Sequence, residues 1–347
     1  MNKNYPNIIE IKNYINKDCF EINTIKSITY LIKDIFLLTI TYYFIYKINT
    51  SNIYLDIVIK LPLQFIAGFF MWCIFVIGHD CGHGTFSQNK FINNIFGELC
   101  HSIILLTPFY PWKKSHNLHH LNHNHVEKDY SHKWFLSENK DNILSELDTK
   151  IFYKLRYIAC IFSWPMYLYV GIPDGGHLIL YGRLWKDSNL KEIIRGYTSS
   201  FIVCSTFYLL WNILGFNIIT YYLIPWLFYG WWLFTVTFLQ HHDETNYLYN
   251  QKWNYIKGAF ETIDRDYGDI INNLSHHITD CHVIHHIFFT KIPHYNLKLA
   301  TNNLIDGLKK NNYINIYKKK NTYNFITYIF DYYIRKWHFY NKHNLDH

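Results

Sequence analysis

The stretch Leu61–His83, LPLQFIAGFFMWCIFVIGHDCGH, decides the architecture of this 347-residue chain. Its first part, Leu61 to Gly78, runs eighteen residues without a charge and follows Lys60. That is long enough for a helix to span the hydrocarbon core of a bilayer. The run ends in His79-Asp80-Cys81-Gly82-His83. Histidines at i and i+4 stand one above the other on a helix face, so both reach one metal centre. A membrane crossing therefore ends in a pair of metal-ligating side chains.

Working outward, Gly196 to Gln240 is forty-five residues without Asp, Glu, Lys or Arg. At about 20 residues per crossing this is two spans, and the tight connection is expected around Gly215 to Asn217. A fourth, weaker span covers about Ile28 to Tyr46, interrupted by Lys33 and Asp34. The spans are thus expected at about 28–46, 61–78, 198–215 and 219–240. Ile95–Pro111 and Tyr157–Pro173 are shorter, contain prolines, and read as interfacial or re-entrant pieces. Four crossings make two hairpins, with both termini, the middle loop and the tail on one side. Most Lys and Arg residues fall in those regions, which the positive-inside rule places in the cytosol. The expectation is an all-α integral membrane protein, one domain over 1–347, with a cytosolic helical cap holding a di-metal histidine site.

Two further clusters stand outside the spans: His116-Asn117-Leu118-His119-His120 and His282-Val283-Ile284-His285-His286. Each places histidines at i, i+3 and i+4, on one stripe of a helix. A lone pair of histidines at helical spacing is ordinarily a surface or core feature. Eight in three clusters, all on one side of the membrane, point to metal. Eight imidazoles exceed what one ion accepts, so two ions are implied. Imidazole suits Zn, Cu, Fe and Ni. A catalytic zinc takes three protein ligands and structural zinc favours thiolates, so redox iron fits this donor set best.

Composition narrows the class. Half the residues are hydrophobic and a fifth aromatic, with 21 histidines and a formal charge of +7. The densest basic run is Lys318-Lys319-Lys320, either a surface for anionic lipid or an acidic donor protein, or a solvated face of a lysine-rich sequence. Nothing resembles a nucleic-acid module. The seven cysteines (Cys19, Cys73, Cys81, Cys100, Cys160, Cys204, Cys281) form no C-x-x-C pair and read as small buried hydrophobes in a reducing compartment. The first residues lack the apolar core and cleavage site of a signal peptide.

The three boxes, with their surroundings, resemble the membrane fatty acid desaturase family. Gly78-His79-Asp80-Cys81-Gly82-His83-Gly84-Thr85-Phe86-Ser87 is similar to the first box of its acyl-lipid omega-3 and delta-12 branch. So is Trp112 to His120, followed by Asn122-His123-Asn124-His125-Val126-Glu127. Asp264-Arg265-Asp266-Tyr267-Gly268 and Pro293-His294-Tyr295 fit as well, and the likeness runs from about Met71 to Thr301. Asn122 to Glu127 leans toward omega-3 enzymes, Ile278-Thr279-Asp280 toward delta-12 enzymes, and the link from the third box to Pro293 is about one residue longer than usual. The position of the new double bond stays open.

The resemblance implies two iron ions, O2 as co-substrate, and an acyl lipid substrate, phospholipid-linked or CoA-linked. Electrons are expected from a separate cytochrome b5-type or ferredoxin-type protein, since no His-Pro-Gly-Gly occurs. The membrane is expected to be the endoplasmic reticulum if the source is eukaryotic. The metal ligands are then His79, His83, His116, His119, His120, His282, His285 and His286. For the ninth ligand that the family leads one to expect, His241 at the end of the last span is the choice, with His242 and His276 as competitors. Asp80, Glu127, Asp129, Asp266 and Asp280 are candidates to orient ligand rings through hydrogen bonds. His101, His123, His125 and His294 match family positions with roles open, and His177, His338, His343 and His347 are expected at the surface. The aromatic run Trp226–Trp232 either lines an acyl tunnel or, the bland alternative, faces lipid and the other spans. A related fatty acyl hydroxylase shares every box. A histidine-rich metal transporter is the alternative of another class, and the charge-free Gly196–Gln240 run speaks against it.

Overall fold

The computed structural model describes residues 4–48, 50, 52–130, 166–171, 175–180, 182–243, 245–331 and 345–346. The described chain is mostly helical. Its helices include, in order, α1 (Ile8–Tyr14), α2 (Thr24–Lys47), α3 (Ile53–His83), α4 (Lys90–Gly97), α5 (Phe109–Asn122), α6 (Leu190–Leu214), α7 (Ile224–His241), α8 (His282–Phe288) and α9 (Leu297–Lys310), with shorter helical turns between and after them. Two short parallel strand pairs join β1 (Leu248–Tyr249) to β4 (Leu345–Asp346) and β2 (Asp264–Asp266) to β3 (Lys319–Asn321). Residues cluster into two compact units. One gathers Ile22–Lys114 and Leu168–Phe234, the other Met1–Glu21, Ser115–Tyr167 and Thr235–His347.

The first unit is the apolar one. Four helical stretches in the chain are long and apolar enough to cross a membrane: Thr24–Lys47, Tyr54–His83, Leu190–Asn217 and Ile219–His241. Each of the four stretches expected to span falls within one of these helical stretches, and the helices are longer than the charge-free runs. Charged residues at their ends explain the difference. Asp56 and Lys60 pair at 2.8 Å within one turn, so α3 begins at Ile53 rather than after Lys60. With 31 residues, α3 is about 46 Å long at 1.5 Å per residue, well beyond the roughly 30 Å hydrocarbon core. Its last turns, which carry His79 and His83, can therefore project past the apolar layer. Gly84 closes the helix at φ +80°, a left-handed cap that suits glycine. Between α6 and the last span, Gly215 turns the chain at φ +52° into a short 3-10 turn, Gly215–Asn217, where the sequence places the connection.

The aromatic run of α7 packs against its neighbours. Trp232 stacks on Trp72 with ring centroids 5.9 Å apart and planes at 6°. The Trp226 indole donates to Leu105 O at 2.8 Å, Tyr222 donates to Ile104 O at 2.8 Å, and the Tyr229 hydroxyl lies 3.2 Å from Thr107 Oγ1. The Ile95–Pro111 stretch is a helix end, a π-helical segment Glu98–Ile104 and a break, and these side chains supply partners for its irregular backbone. Of Tyr157–Pro173, only 166–171 lies within the described residues, as a π-helical turn. Cys160, His338, His343 and His347 lie outside them. His177 is not at the surface but 4% exposed. Its Nδ1 meets Leu168 O at 2.8 Å, and Gly171 leaves room for its ring, which a Cβ there would approach to 2.7 Å. Cys19, Cys73, Cys81, Cys100 and Cys281 are buried as expected, whereas Cys204 is exposed on α6.

Candidate metal centre

His79 and His83 end α3 with their Nε2 atoms 3.2 Å apart, and both rings are buried. Gly82, between them, passes under Trp112, whose ring edge would stand 3.0 Å from a Cβ. Asp80 Oδ1 is 3.7 Å from His79 Nδ1, too far for a hydrogen bond. His101, fully buried, stacks on Phe75 at 4.3 Å and donates its Nε2–H to Phe75 O at 3.1 Å. Burial pushes its pKa down to about 3, so it is a neutral brace against α3.

The second unit holds the other box histidines. On α5, His116 and His120 bring their Nε2 atoms to 3.0 Å, and His120 Nε2 lies 3.2 Å from His285 Nε2 on α8. His119, one stripe over, faces His241 at the end of α7 with Nε2 atoms 3.3 Å apart. His241 Nε2 is 3.0 Å from His282 Nε2, which is 3.1 Å from His286 Nε2. His119, His241 and His286 form one group of close donor atoms, and His116, His120 and His285 another. The groups include His241 and neither competitor among the described residues. His242 turns its Nδ1 back to Phe238 O at 3.0 Å and is pushed by burial to a pKa of about 3, and the His276 ring packs 4.8 Å from that of His294.

The donor chemistry fits metal ions. Each Nε2 carries either one hydrogen or one lone pair, so His120, His241 and His282, each with two ring nitrogens at 3.0–3.3 Å, cannot satisfy both neighbours with ordinary hydrogen bonds, and a shared cation supplies the partner they lack. His286 is fully buried, its Nδ1 has no hydrogen-bond partner among the described residues, and burial together with His282 and His241 holds its pKa well below 6.5. It is therefore a neutral ring, the form that ligates metal.

Asp129 hydrogen-bonds a box histidine ring. It accepts from His119 Nδ1 at 2.8 Å, with both residues 1% exposed, and its other oxygen accepts from Asn124 N at 3.1 Å. A carboxylate on Nδ1 fixes the tautomer and leaves Nε2 as the lone-pair donor. Elsewhere, Asp266 accepts from Gly268 N and Asn272 Nδ2 at 2.9 and 2.7 Å. Asp280 accepts from His277 at 2.9 Å and Lys298 at 2.5 Å, while Glu127 is exposed. Sequence reasoning missed the buried Arg265 as a partner of the last span, because its contacts are not local. Lys318, Lys319 and Lys320 are not a free solvated run either. They face Glu261, Asp266 and Asp243 respectively.

Long apolar helices and buried clusters of imidazole define a membrane protein equipped to bind metal. The family model for fatty acid desaturases matches residues 57–318. The chain is 36% identical over 326 residues to a Delta(12) fatty acid desaturase of Caenorhabditis elegans, covering 92% of this chain and 84% of that protein. It is also 36% identical over 308 residues to an omega-3 fatty acid desaturase of the same organism, covering 88% and 73%. A third relative is the acyl-lipid omega-3 desaturase (cytochrome b5), endoplasmic reticulum, of Arabidopsis thaliana, 36% identical over 301 residues, or 84% of this chain and 74% of that protein. The chain belongs to the fatty acid desaturase family and is an oxidoreductase.

Proposed function

We propose that this desaturase acts on a lipid-linked acyl chain with omega-3 or delta-12 selectivity and forms a cis double bond. Two iron ions are held by His79, His83, His116, His119, His120, His241, His282, His285 and His286. The observation that supports the metal assignment is the close packing of largely buried imidazole nitrogens at 3.0–3.3 Å around α5, α7 and α8. Iron with O2 supplies an oxidant strong enough to take hydrogen from an unactivated methylene. Two acyl hydrogens, two donor electrons and two protons reduce one O2 to two waters.

The residues of the chain do the positioning. Asp129 holds the His119 ring, and the protein fixes which methylenes stand near the centre, because placement rather than acid–base chemistry selects the carbons. The donor is a separate cytochrome b5-type or ferredoxin-type protein. The four helices form two hairpins in the endoplasmic reticulum membrane, with the histidine centre on the cytosolic side.

Expression in yeast fed 18:1 and 18:2 acids, with fatty-acid profiling by gas chromatography and mass spectrometry, tests the proposal. A new polyunsaturated product, absent with His119→Ala, is expected, and its mass spectrum fixes the bond position. A hydroxylated product reassigns the chain to the sister reaction. No product from well-expressed, iron-loaded protein on either acid, with an active donor present, refutes the selectivity.

A further inference from the structure

The end of α7 carries His241, and the last carbonyls of a helix have no partner within it. Here each of three consecutive carbonyls has one from another segment. Leu239 O accepts from Arg265 Nε, Gln240 O from Ile263 N at 3.0 Å, and His241 O from Asn246 Nδ2 at 2.8 Å. The same segment reaches the third box. Arg265 N donates to Thr279 O at 2.9 Å, and Gln240 Nε2 donates to Ile278 O and Thr279 O at 2.7 and 3.0 Å. Asp264 Oδ1 accepts from Val283 N at 2.7 Å, at the first turn of α8.

Strand β2 is in turn fastened by the tail. Asp264 N donates to Lys318 O at 3.1 Å and Thr322 N to Asp266 O at 2.8 Å. Tyr317 donates to Asp264 Oδ2. Lys320 Nζ reaches both oxygens of Asp243 at 2.7 and 2.6 Å, and Arg265 pairs with the same carboxylate at 3.1 Å. Lys318 Nζ pairs with Glu261 and donates to Asn246 Oδ1 at 3.2 Å, and Asn246 is the residue that holds His241 O. Two lysines remote in sequence thus reach the backbone that aims His241, Lys318 through Asn246 and Lys320 through Asp243 and Arg265.

We propose that the tail segment Tyr317–Asn321 is a positioning clamp for the His119–His241–His286 group, acting through Asp243, Asn246 and Arg265. It touches neither metal nor substrate. Its effect is to hold the end of α7 and the first turn of α8 in register, so that His241 and His282 keep their ring spacing. Outer partners of metal ligands typically matter by about 10–100-fold in affinity, which sets the scale expected.

The test uses the full-length protein purified in detergent, as wild type, Lys318→Ala/Lys320→Ala, and Lys318→Arg/Lys320→Arg. Hydrogen–deuterium exchange of metal-free protein is read at residues 239–246 and 278–286, and ferrous iron is titrated with the stoichiometry followed by Mössbauer spectroscopy. The alanine pair is expected to exchange at least tenfold faster in those two windows and not elsewhere. It should bind one of its two irons about 10–100-fold more weakly, with kcat lowered and KM for the acyl substrate unchanged. The arginine pair should restore both. Tyr317→Phe, which removes a single hydroxyl, is expected to loosen only 282–286 and covers the case in which the alanine pair aggregates. Unchanged exchange at 239–246, or equal loss of both irons, overturns the clamp. Only the metal readout rests on the two-iron reading. Wild-type protein that fails to bind two irons refutes that reading, and the exchange result still decides the clamp.

Discussion

Replacing Asp129 by Asn isolates the contribution of one outer hydrogen bond to the centre. Asp129 and His119 are 2.8 Å apart and 1% exposed, so the bond is charge-assisted and shielded from water. An asparagine can accept through one oxygen only. If that oxygen meets His119, the amide nitrogen faces the Asn124 N–H, which now lacks its acceptor. The lost negative charge also makes His119 a poorer donor to metal. Hydrogen bonds to charged groups contribute about 1.5–3 kcal/mol. Outer partners of ligating histidines matter by about 10–100-fold in affinity, which is about 1.4–2.7 kcal/mol. The two routes agree, so Asp129→Asn is expected to weaken one metal site by one to two orders of magnitude and leave the other unchanged. Ferrous or cobaltous ion titrated into purified protein against a competing chelator measures it. Wild-type affinity at both sites in the Asp129→Asn protein, with His119→Ala abolishing one, refutes the reasoning, because the carboxylate would then be orienting nothing.

Two further outcomes follow from the packing. His101 has a pKa of about 3 when folded, against 6.5 for a free histidine, chiefly through burial. Its contribution to stability is therefore complete above pH 6.5 and is lost as pH falls toward 3, by at most about 1.4 kcal/mol per pH unit. His101→Gln should show a smaller fall in melting temperature between pH 7 and pH 5 than wild type, and equal falls would remove His101 from the account. At Gly258 a Cβ would stand 2.5 Å from His123 O, with no flexible group to yield. Gly258→Ala should cost about 1–3 kcal/mol in thermal or denaturant unfolding, and wild-type stability would show that the approach is not tight.

The histidine clusters were legible because their spacing is local. Histidines at helical spacing declare a shared face whatever the fold, and His241, which the fold sets beside His119 and His282, was singled out because it ends an apolar stretch as His79 does. The four long helices were legible from uncharged runs, although ion pairs such as Asp56–Lys60 let the helices extend beyond them. What escaped is non-local. Arg265 and the tail lysines look like ordinary surface charge until the chain folds and sets 264–266 beside 319–321. His177 looked exposed because nothing near it in sequence says that Leu168 O would receive its ring nitrogen. The π-helical segment Glu98–Ile104 likewise owes its partners to side chains of the last span more than a hundred residues away.

The parallel pairing of β2 with β3 also carries a consequence for biosynthesis. A ribosome delivers the chain from its N-terminus, so every box histidine emerges before Lys318 and Lys320 exist. Until the tail arrives, the end of α7 lacks the lysines that pair with Asp243 and Asn246. On the clamp proposed above, the donor spacing at the end of α7 is completed only with the tail, so a chain stalled ahead of Lys318 would be a poor trap for metal.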